Sequence, residues 1–226
     1  TVGIRMPSEP AAAELISAAE TPIAAPSANL SGKPSPTKAK HVVKDMTGRI
    51  DAIIDGGECN VGVESTIVDF TGEKPVILRP GGVTYDDLKG IGLDVEIDKN
   101  ILHSIAADEV PKCPGMKYKH YAPNAEVTVV EGEKDAVQSK IKELLEQTEG
   151  KVTGVLTMYG AVYDKAVMLS AGSTNKEYAK NLFAALREFD ELGVEVVFAE
   201  FSEKDGYGLA VKNRLYKAAA QRVIHV

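Results

Sequence analysis

The chain has only two cysteines, Cys59 and Cys113, among its 226 residues. So few thiols, so far apart, give no disulfide framework. With no secretory signal pattern they read as reduced cysteines of a cytoplasmic protein. Long apolar runs are also missing: none approaches the ~20 residues that cross a bilayer, so no membrane partner is expected. The four histidines, His41, His103, His120 and His225, have neither HExxH spacing nor Cys/His clustering, which predicts no zinc site. Positive charge is in deficit, with 26 basic against 33 acidic residues and a net charge of −7. Together with the lack of any Lys/Arg run, this argues against a broad nonspecific nucleic-acid surface. Neither the P-loop pattern nor the GxGxxG dinucleotide fingerprint occurs.

What is there is enough for a packed core: 44% of residues are hydrophobic, over a length that suits one large domain or two smaller ones. The division falls at Cys113-Pro114-Gly115-Met116-Lys117-Tyr118-Lys119-His120-Tyr121-Ala122-Pro123. Polar and aromatic residues alternate there between prolines, so the stretch is a poor core element and an extended, stiff one. It reads either as an ordinary charged linker or as one that brings tyrosine faces and cationic tips to a ligand. We place a first unit at 1–110, a linker at 111–124 and a second unit at 125–226.

In the first unit, Thr1–Met6 alternates as a short strand. Ser8 is a candidate cap for a helix with Pro10 early and 11–19 as its body, its Ala-rich face inward. A brief strand at 21–25 leads into Pro26-Ser27-Ala28-Asn29-Leu30-Ser31-Gly32-Lys33-Pro34-Ser35-Pro36-Thr37, a loop without apolar period. Its hydroxyls, its amide and Lys33 suit phosphate or carboxylate oxygens, or else simply cap a solvated turn. A helix over 37–46 capped by Thr37, with Val42, Val43 and Met46 inward, precedes strands at 50–55 and 63–69. Ser65 and Thr66 interrupt the apolar pattern of the latter; each must bond backbone or face a ligand. A strand at 76–78 ends at Arg79, before a Pro-Gly-Gly turn. A short helix or turn at 85–89, an edge strand at 95–97 and an irregular connection over 98–110 complete the unit.

In the second unit, strands at 126–130, 152–157, 166–169 and 194–198 alternate with helices at 135–146, 173–189 and 211–223. Buried strands alternating with helices imply a parallel sheet covered on both faces, Rossmann-like in class. The Gly-rich turn into a basic helix start at 205–214 is either a ligand or interdomain site or a mobile turn with solvated charges.

Taken in order, the strand at 1–7, PSANLSGKPSPT (26–37), GVESTIVD (62–69), ILRPGG (77–82) and CPGMKYKHYAP (113–123) resemble the YrdC family. The closer resemblance is to the long-form L-threonylcarbamoyladenylate synthases, which carry an extra C-terminal domain. The fold implied is α/β: a partial YrdC-like domain joined by an extended linker to a Rossmann-like parallel-sheet domain. The activity implied is nucleotidyl transfer: L-threonine, bicarbonate and ATP condense to threonylcarbamoyl-AMP with release of pyrophosphate, for threonylcarbamoyladenosine modification of tRNA. tRNA itself is a partner only through a downstream transferase complex. Mg²⁺ is the implied cofactor, arriving with ATP and held mostly by phosphate and water.

The resemblance assigns nucleotide binding to Ser27, Asn29, Ser35 and Arg79, with Thr1 as a weaker candidate, and to Tyr118, His120 and Tyr121 of the linker, without singling out one of the three. It assigns L-threonine to Arg5, whose fork suits a carboxylate, and to Ser65. No residue is assigned a covalent catalytic role. The family's N-terminal Lys-x-Arg motif does not precede Thr1 in this sequence, which predicts a fragment inactive alone and prone to self-association. The alternative reading is a YrdC-type module that binds nucleotide or RNA without turnover; a further one makes the C-terminal unit a docking element.

Overall fold

The computed structural model describes residues 1–102, 112–113, 121–203 and 205–226. Helices α1 (Pro10–Ala19) and α2 (Ala39–Met46) come first, then strands β1 (Ile67–Asp69) and β2 (Val76–Arg79), helix α3 (Tyr85–Gly90) and strand β3 (Glu96–Ile97). The three strands form a small sheet in the order β1-β2-β3, with β1 antiparallel and β3 parallel to β2. Ile77, Val95 and Ile101 are its buried core. Thr84 and Asp87 form a reciprocal capping box that starts α3.

The strands expected at 1–6, 21–25 and 50–55 are not formed; those segments pair with no neighbour among the described residues, and Val2, Ile4, Met6, Ile23, Ile50 and Ile54 are exposed. Alternation makes a strand only where a neighbour supplies the ladder hydrogen bonds, and no described residue pairs with these. α1 buries nothing, so its Ala face is not core here, and its cap is Glu9, whose carboxylate accepts from the Ala12 amide at 2.7 Å, rather than Ser8. α2 starts at Lys38 without a side-chain cap, and it buries His41 and Asp45 in place of the expected apolar face.

The second unit contains β4 (Glu126–Glu131), α4 (Lys134–Glu146), β5 (Thr153–Thr157), β6 (Val167–Ser170), α5 (Asn175–Glu191), β7 (Val196–Phe201), α6 (Gly208–Ala218) and β8 (Val223–His225). The sheet order is β6-β5-β7-β4-β8, and every pairing is parallel. Side chains alternate across it. Val127, Val129, Val197, Ala199 and Phe201 meet the α5 stripe Tyr178, Leu182, Phe183, Leu186 and Phe189 and the α6 residues Val211 and Leu215. Val130, Val196 and Phe198 meet Val137 and Ile141 of α4 on the other face. This is the covered parallel sheet expected from the pattern, at roughly 1.5–3 kcal/mol for each large apolar side chain fully buried. The helix expected over 211–223 ends early: Ala220 and Gln221 take positive φ, and the chain turns into β8 along the edge of β4.

The two units meet closely. Gly62, at φ +82°, passes so near the backbone of Ala179 and Lys180 in α5 that a Cβ would overlap their atoms. Only glycine meets both demands at once. Val63 then packs against the α5–α6 core.

Candidate functional site

The site is built where the first unit lies on α5 and α6. Arg79, the last residue of β2, is buried, and its Nε and Nη2 donate to the Ser65 carbonyl at 3.1 and 2.9 Å. Nη2 also reaches the Ser65 hydroxyl at 3.4 Å. Gly81 makes this approach possible: a Cβ there would collide with the backbone at Glu64, Ser65 and Thr66. Two predicted residues, Ser65 and Arg79, are thus brought together. Thr66 turns the other way, and its hydroxyl donates to the Val83 carbonyl at 2.5 Å, the backbone alternative.

Ser35 joins the same cluster through a residue not singled out in the sequence. Its hydroxyl donates to Glu64 Oε1 at 2.5 Å, while Glu64 Oε2 accepts from Arg214 Nε at 2.9 Å. Burial alone would raise the Glu64 carboxyl; the charge of Arg214 and the hydrogen bond from Ser35 outweigh it and hold the group below the usual carboxylate range. Arg214 is fully buried, donates through Nη1 to the Pro80 carbonyl at 2.8 Å, and stands 5.9 Å from the Tyr121 ring. Its Nη2 is buried without a hydrogen-bond partner among the described residues. Lys217, one turn along α6, is lowered to about 8 by burial and by the charge of Arg214. Arg79, Arg214 and Lys217 against Glu64 leave an excess of positive charge in a low-dielectric place, which favours an anionic ligand.

The loop 26–37 has its own geometry. The Asn29 side-chain amide donates to the carbonyls of Leu30 at 2.8 Å and Lys33 at 3.3 Å, so its NH₂ shapes the loop. Asn29 Oδ1 is buried without a partner among the described residues. The Ser35 hydroxyl spends its one hydrogen-bond donor on Glu64. As they stand, both present acceptors, which suit a ligand hydroxyl, amine or metal-bound water rather than a bare phosphate oxygen. Ser27 is exposed, its carbonyl accepting from the Asn29 amide at 2.9 Å. Lys33 is committed across the units, bonded to Asn124 Oδ1 and 3.5 Å from Asp190.

Thr1 and Arg5 lie on the exposed N-terminal segment, and Arg5 has no side-chain partner among the described residues. The structure does not bring them to Ser65. Tyr118 and His120 fall outside the described residues. Tyr121 is buried at positive φ, its ring 5.1 Å from that of Phe183 and its phenol pushed up by burial and by the charge of Glu64. The thiols of Cys59 and Cys113 are both raised by burial, which disfavours the nucleophilic thiolate.

Beside Glu64, sequence reasoning missed Arg187 and Asp45, a buried pair joining α5 to α2. A charged residue inside the apolar stripe of 173–189 was the available signal. Arg214, at the end of the segment 205–214, takes the interdomain role rather than that of a solvated charge.

A family model described as threonylcarbamoyl-AMP synthase, C-terminal domain, matches residues 83–220, and one described as telomere recombination matches residues 1–81. The threonylcarbamoyl-AMP synthase of Pyrococcus abyssi (strain GE5 / Orsay) is 49% identical over 228 residues, covering 100% of this chain and 66% of that protein. The threonylcarbamoyl-AMP synthase of Bacillus subtilis (strain 168) is 46% identical over 228 residues, covering 99% of this chain and 64% of that protein. The chain therefore spans just under two thirds of the length of these curated relatives. The crystal structure of P. abyssi Sua5 complexed with L-threonine superposes with a TM-score of 0.91 at 49% identity, over 98% of this chain and 65% of that one. A variant of the same protein, with a neighbouring His and Tyr changed to Ala, gives 0.91 at 48% identity over 98% of this chain and 64% of that one. Matched over more than half its length by the C-terminal-domain model, and along nearly all of it by these relatives, the chain belongs to the threonylcarbamoyl-AMP synthase family.

Proposed function

We propose that this chain is part of an enzyme that makes L-threonylcarbamoyl-AMP from L-threonine, bicarbonate and ATP, releasing pyrophosphate, in support of tRNA modification. The observation that carries the reading is the hydrogen-bonded cluster of Ser35, Glu64, Ser65 and buried Arg79, drawn from three separate motifs and enriched in positive charge by Arg214 and Lys217. The chemistry asks for little covalent help. Carbamate must form from the threonine amine and bicarbonate, and its oxygen must attack the α-phosphate. Positioning and neutralising phosphate charge supply most of the acceleration.

In this reading, Arg79 and main-chain N–H groups of the loop face the phosphates. Asn29 Oδ1 and the Ser35 hydroxyl accept from ribose, amine or water. L-threonine sits beside Ser65, with its carboxylate on Arg5 once the segment 1–8 is packed in place. The resemblance gives Tyr118, His120 and Tyr121 of the linker the part of closing over the nucleotide. Among the described residues no three His, Cys, Asp or Glu side chains converge as a metal cage. The donor set near the loop is hydroxyl and amide, which fits Mg²⁺ brought by ATP and held by phosphate and water. No helix of the described residues is long and apolar enough to cross a membrane, and we place the protein in the cytoplasm.

Pyrophosphate release with ATP, L-threonine, bicarbonate and Mg²⁺ tests this, on the chain itself and on a version extended upstream to the length of its relatives. Threonine-dependent release by the extended version, lost in Arg79→Ala, is expected. Nucleotide binding without release in both versions would favour the binding module without turnover.

A further inference from the structure

Two arginines of the second unit reach into the first and grip the loop 26–37 from beneath. On α5, Arg187 donates through Nε and Nη2 to the Pro34 carbonyl at 3.0 and 2.6 Å. Its Nη1 and Nη2 meet the Asp45 carboxylate at 3.2 and 2.6 Å, and Asp45 in turn accepts from the Leu30 amide at 3.3 Å. On α6, Arg214 donates to the Glu64 carboxylate and the Pro80 carbonyl, and Glu64 accepts from Ser35. One guanidinium therefore touches two sequence motifs directly and a third through a single carboxylate. The two main-chain carbonyls that it and Arg187 engage, Pro34 and Pro80, belong to buried residues next to Ser35 and Arg79. Fork geometry is needed to hold a carboxylate and a carbonyl at once; a lysine reproduces the charge and not the fork.

We propose that Arg214, acting through Glu64, is a positioning residue for the nucleotide-binding loop: it keeps the Ser35 hydroxyl donating to Glu64, so that its oxygen is left to accept from a ligand, and with Arg187 it makes docking of the C-terminal unit a condition for the loop's binding shape. The proposal rests on the nucleotide reading of that loop. It gives the second unit a role in the chemistry without a reacting group of its own. Coupling of this kind needs a physical link between the parts, and the link is the chain α6–Arg214–Glu64–Ser35.

The test uses the whole chain, with Glu64→Gln, Ser35→Ala, their double variant and Arg214→Lys. Mg²⁺–ATP binding is measured by calorimetry, hydrogen exchange is read on the peptide spanning 26–37, and thermal melting reports folding. We expect Glu64→Gln and Arg214→Lys each to weaken ATP binding about tenfold, the scale of one charge-assisted hydrogen bond. Exchange in 26–37 rises in both, while α4 is unchanged. The Ser35→Ala/Glu64→Gln double variant binds no more weakly than the worse single variant, because both act on one link. If the variants melt lower but bind ATP within twofold of the parent, with 26–37 exchanging as before, Arg214 and Glu64 are structural only and the proposal is overturned. No ATP binding by the parent chain or by its version extended upstream sinks the nucleotide reading instead. The exchange arm then decides the loop-holding role alone: faster exchange in 26–37 sustains it, and unchanged exchange removes it. If Arg214→Lys fails to fold, Glu64→Gln decides by the same readouts.

Discussion

Replacing Arg187 with methionine keeps most of the side-chain volume and removes the guanidinium that joins α5 to α2. Both partners of the ion pair are buried, with side-chain exposures of 8% for Arg187 and 7% for Asp45. The variant leaves Asp45 with one donor, the Leu30 amide at 3.3 Å, and strips the Pro34 carbonyl of both Arg187 donors. Breaking a buried pair from one side costs about 3–5 kcal/mol. A second route gives the same scale: if Asp45 escapes by taking a proton at pH 7, starting from an ordinary value of 3.8, the cost is about 4 kcal/mol. The loss is therefore set near 4 kcal/mol. With a urea slope of about 2 kcal/mol/M, the midpoint falls by roughly 2 M. Far-UV circular dichroism or tyrosine fluorescence follows the transition, since the chain has no tryptophan.

The pH dependence carries a sign. Hydrogen bonding to Arg187 holds the Asp45 carboxyl below 3.8, so the stabilisation is present above that pH and is lost as pH falls further through the folded value. The gap between parent and variant is wide at pH 7 and narrows as pH falls toward and below 3.8. The double variant Arg187→Met/Asp45→Leu removes the stranded charge and recovers most of the loss. A single variant that loses less than about 1 kcal/mol, or a double variant no better than the single, refutes the reasoning that a buried interdomain ion pair is what is being broken.

Three further outcomes are expected. His41 accepts from the Thr37 amide through Nδ1 at 3.1 Å, and burial together with the charge of Arg187 lowers it to about 4. The unfolded chain thus takes a proton that the folded one refuses, and stability falls by up to about 3 kcal/mol as pH drops from 6.5 toward 4; His41→Asn flattens urea midpoints measured across that window. Gly62→Ala, which forces a Cβ at positive φ into the α5 backbone, lowers stability by more than about 2 kcal/mol and speeds limited proteolysis between the units. Tyr163→Phe takes one donor from buried Glu200, which keeps the Met158 and Tyr159 amides at 2.7 and 3.0 Å, and costs about 1.5–3 kcal/mol by denaturant titration.

The two units differ in how far they could be read in advance. The α5 stripe from Tyr178 to Phe189 and the apolar runs of β5 and β7 state their burial locally, and the covered parallel sheet follows from them. The segments at 1–6, 21–25 and 50–55 carry the same alternation and form no ladder, because a strand is completed by hydrogen bonds that another segment must donate. β8 was hidden for the converse reason: Val223–His225 continues a helical pattern and becomes a strand only because the edge of β4 is there to receive it.

For the site, Ser35, Ser65 and Arg79 were legible as polar or charged residues placed where apolar ones or turns prevail. Glu64 and Asp45 were not, since nothing local distinguishes a solvated charge from one that crosses an interface; for Arg187 the one signal was its place in the apolar stripe of α5. The sequence by itself determined the α/β class, the long helix that begins at 173–175, and the motifs whose order points to the family. Only the tertiary structure decided that Glu64 stands between Ser35 and Arg214 and that Asp45 faces Arg187. Those pairings span 150 and 142 residues of chain, and a salt bridge between such distant residues exists only once packing has brought them together and taken the water away.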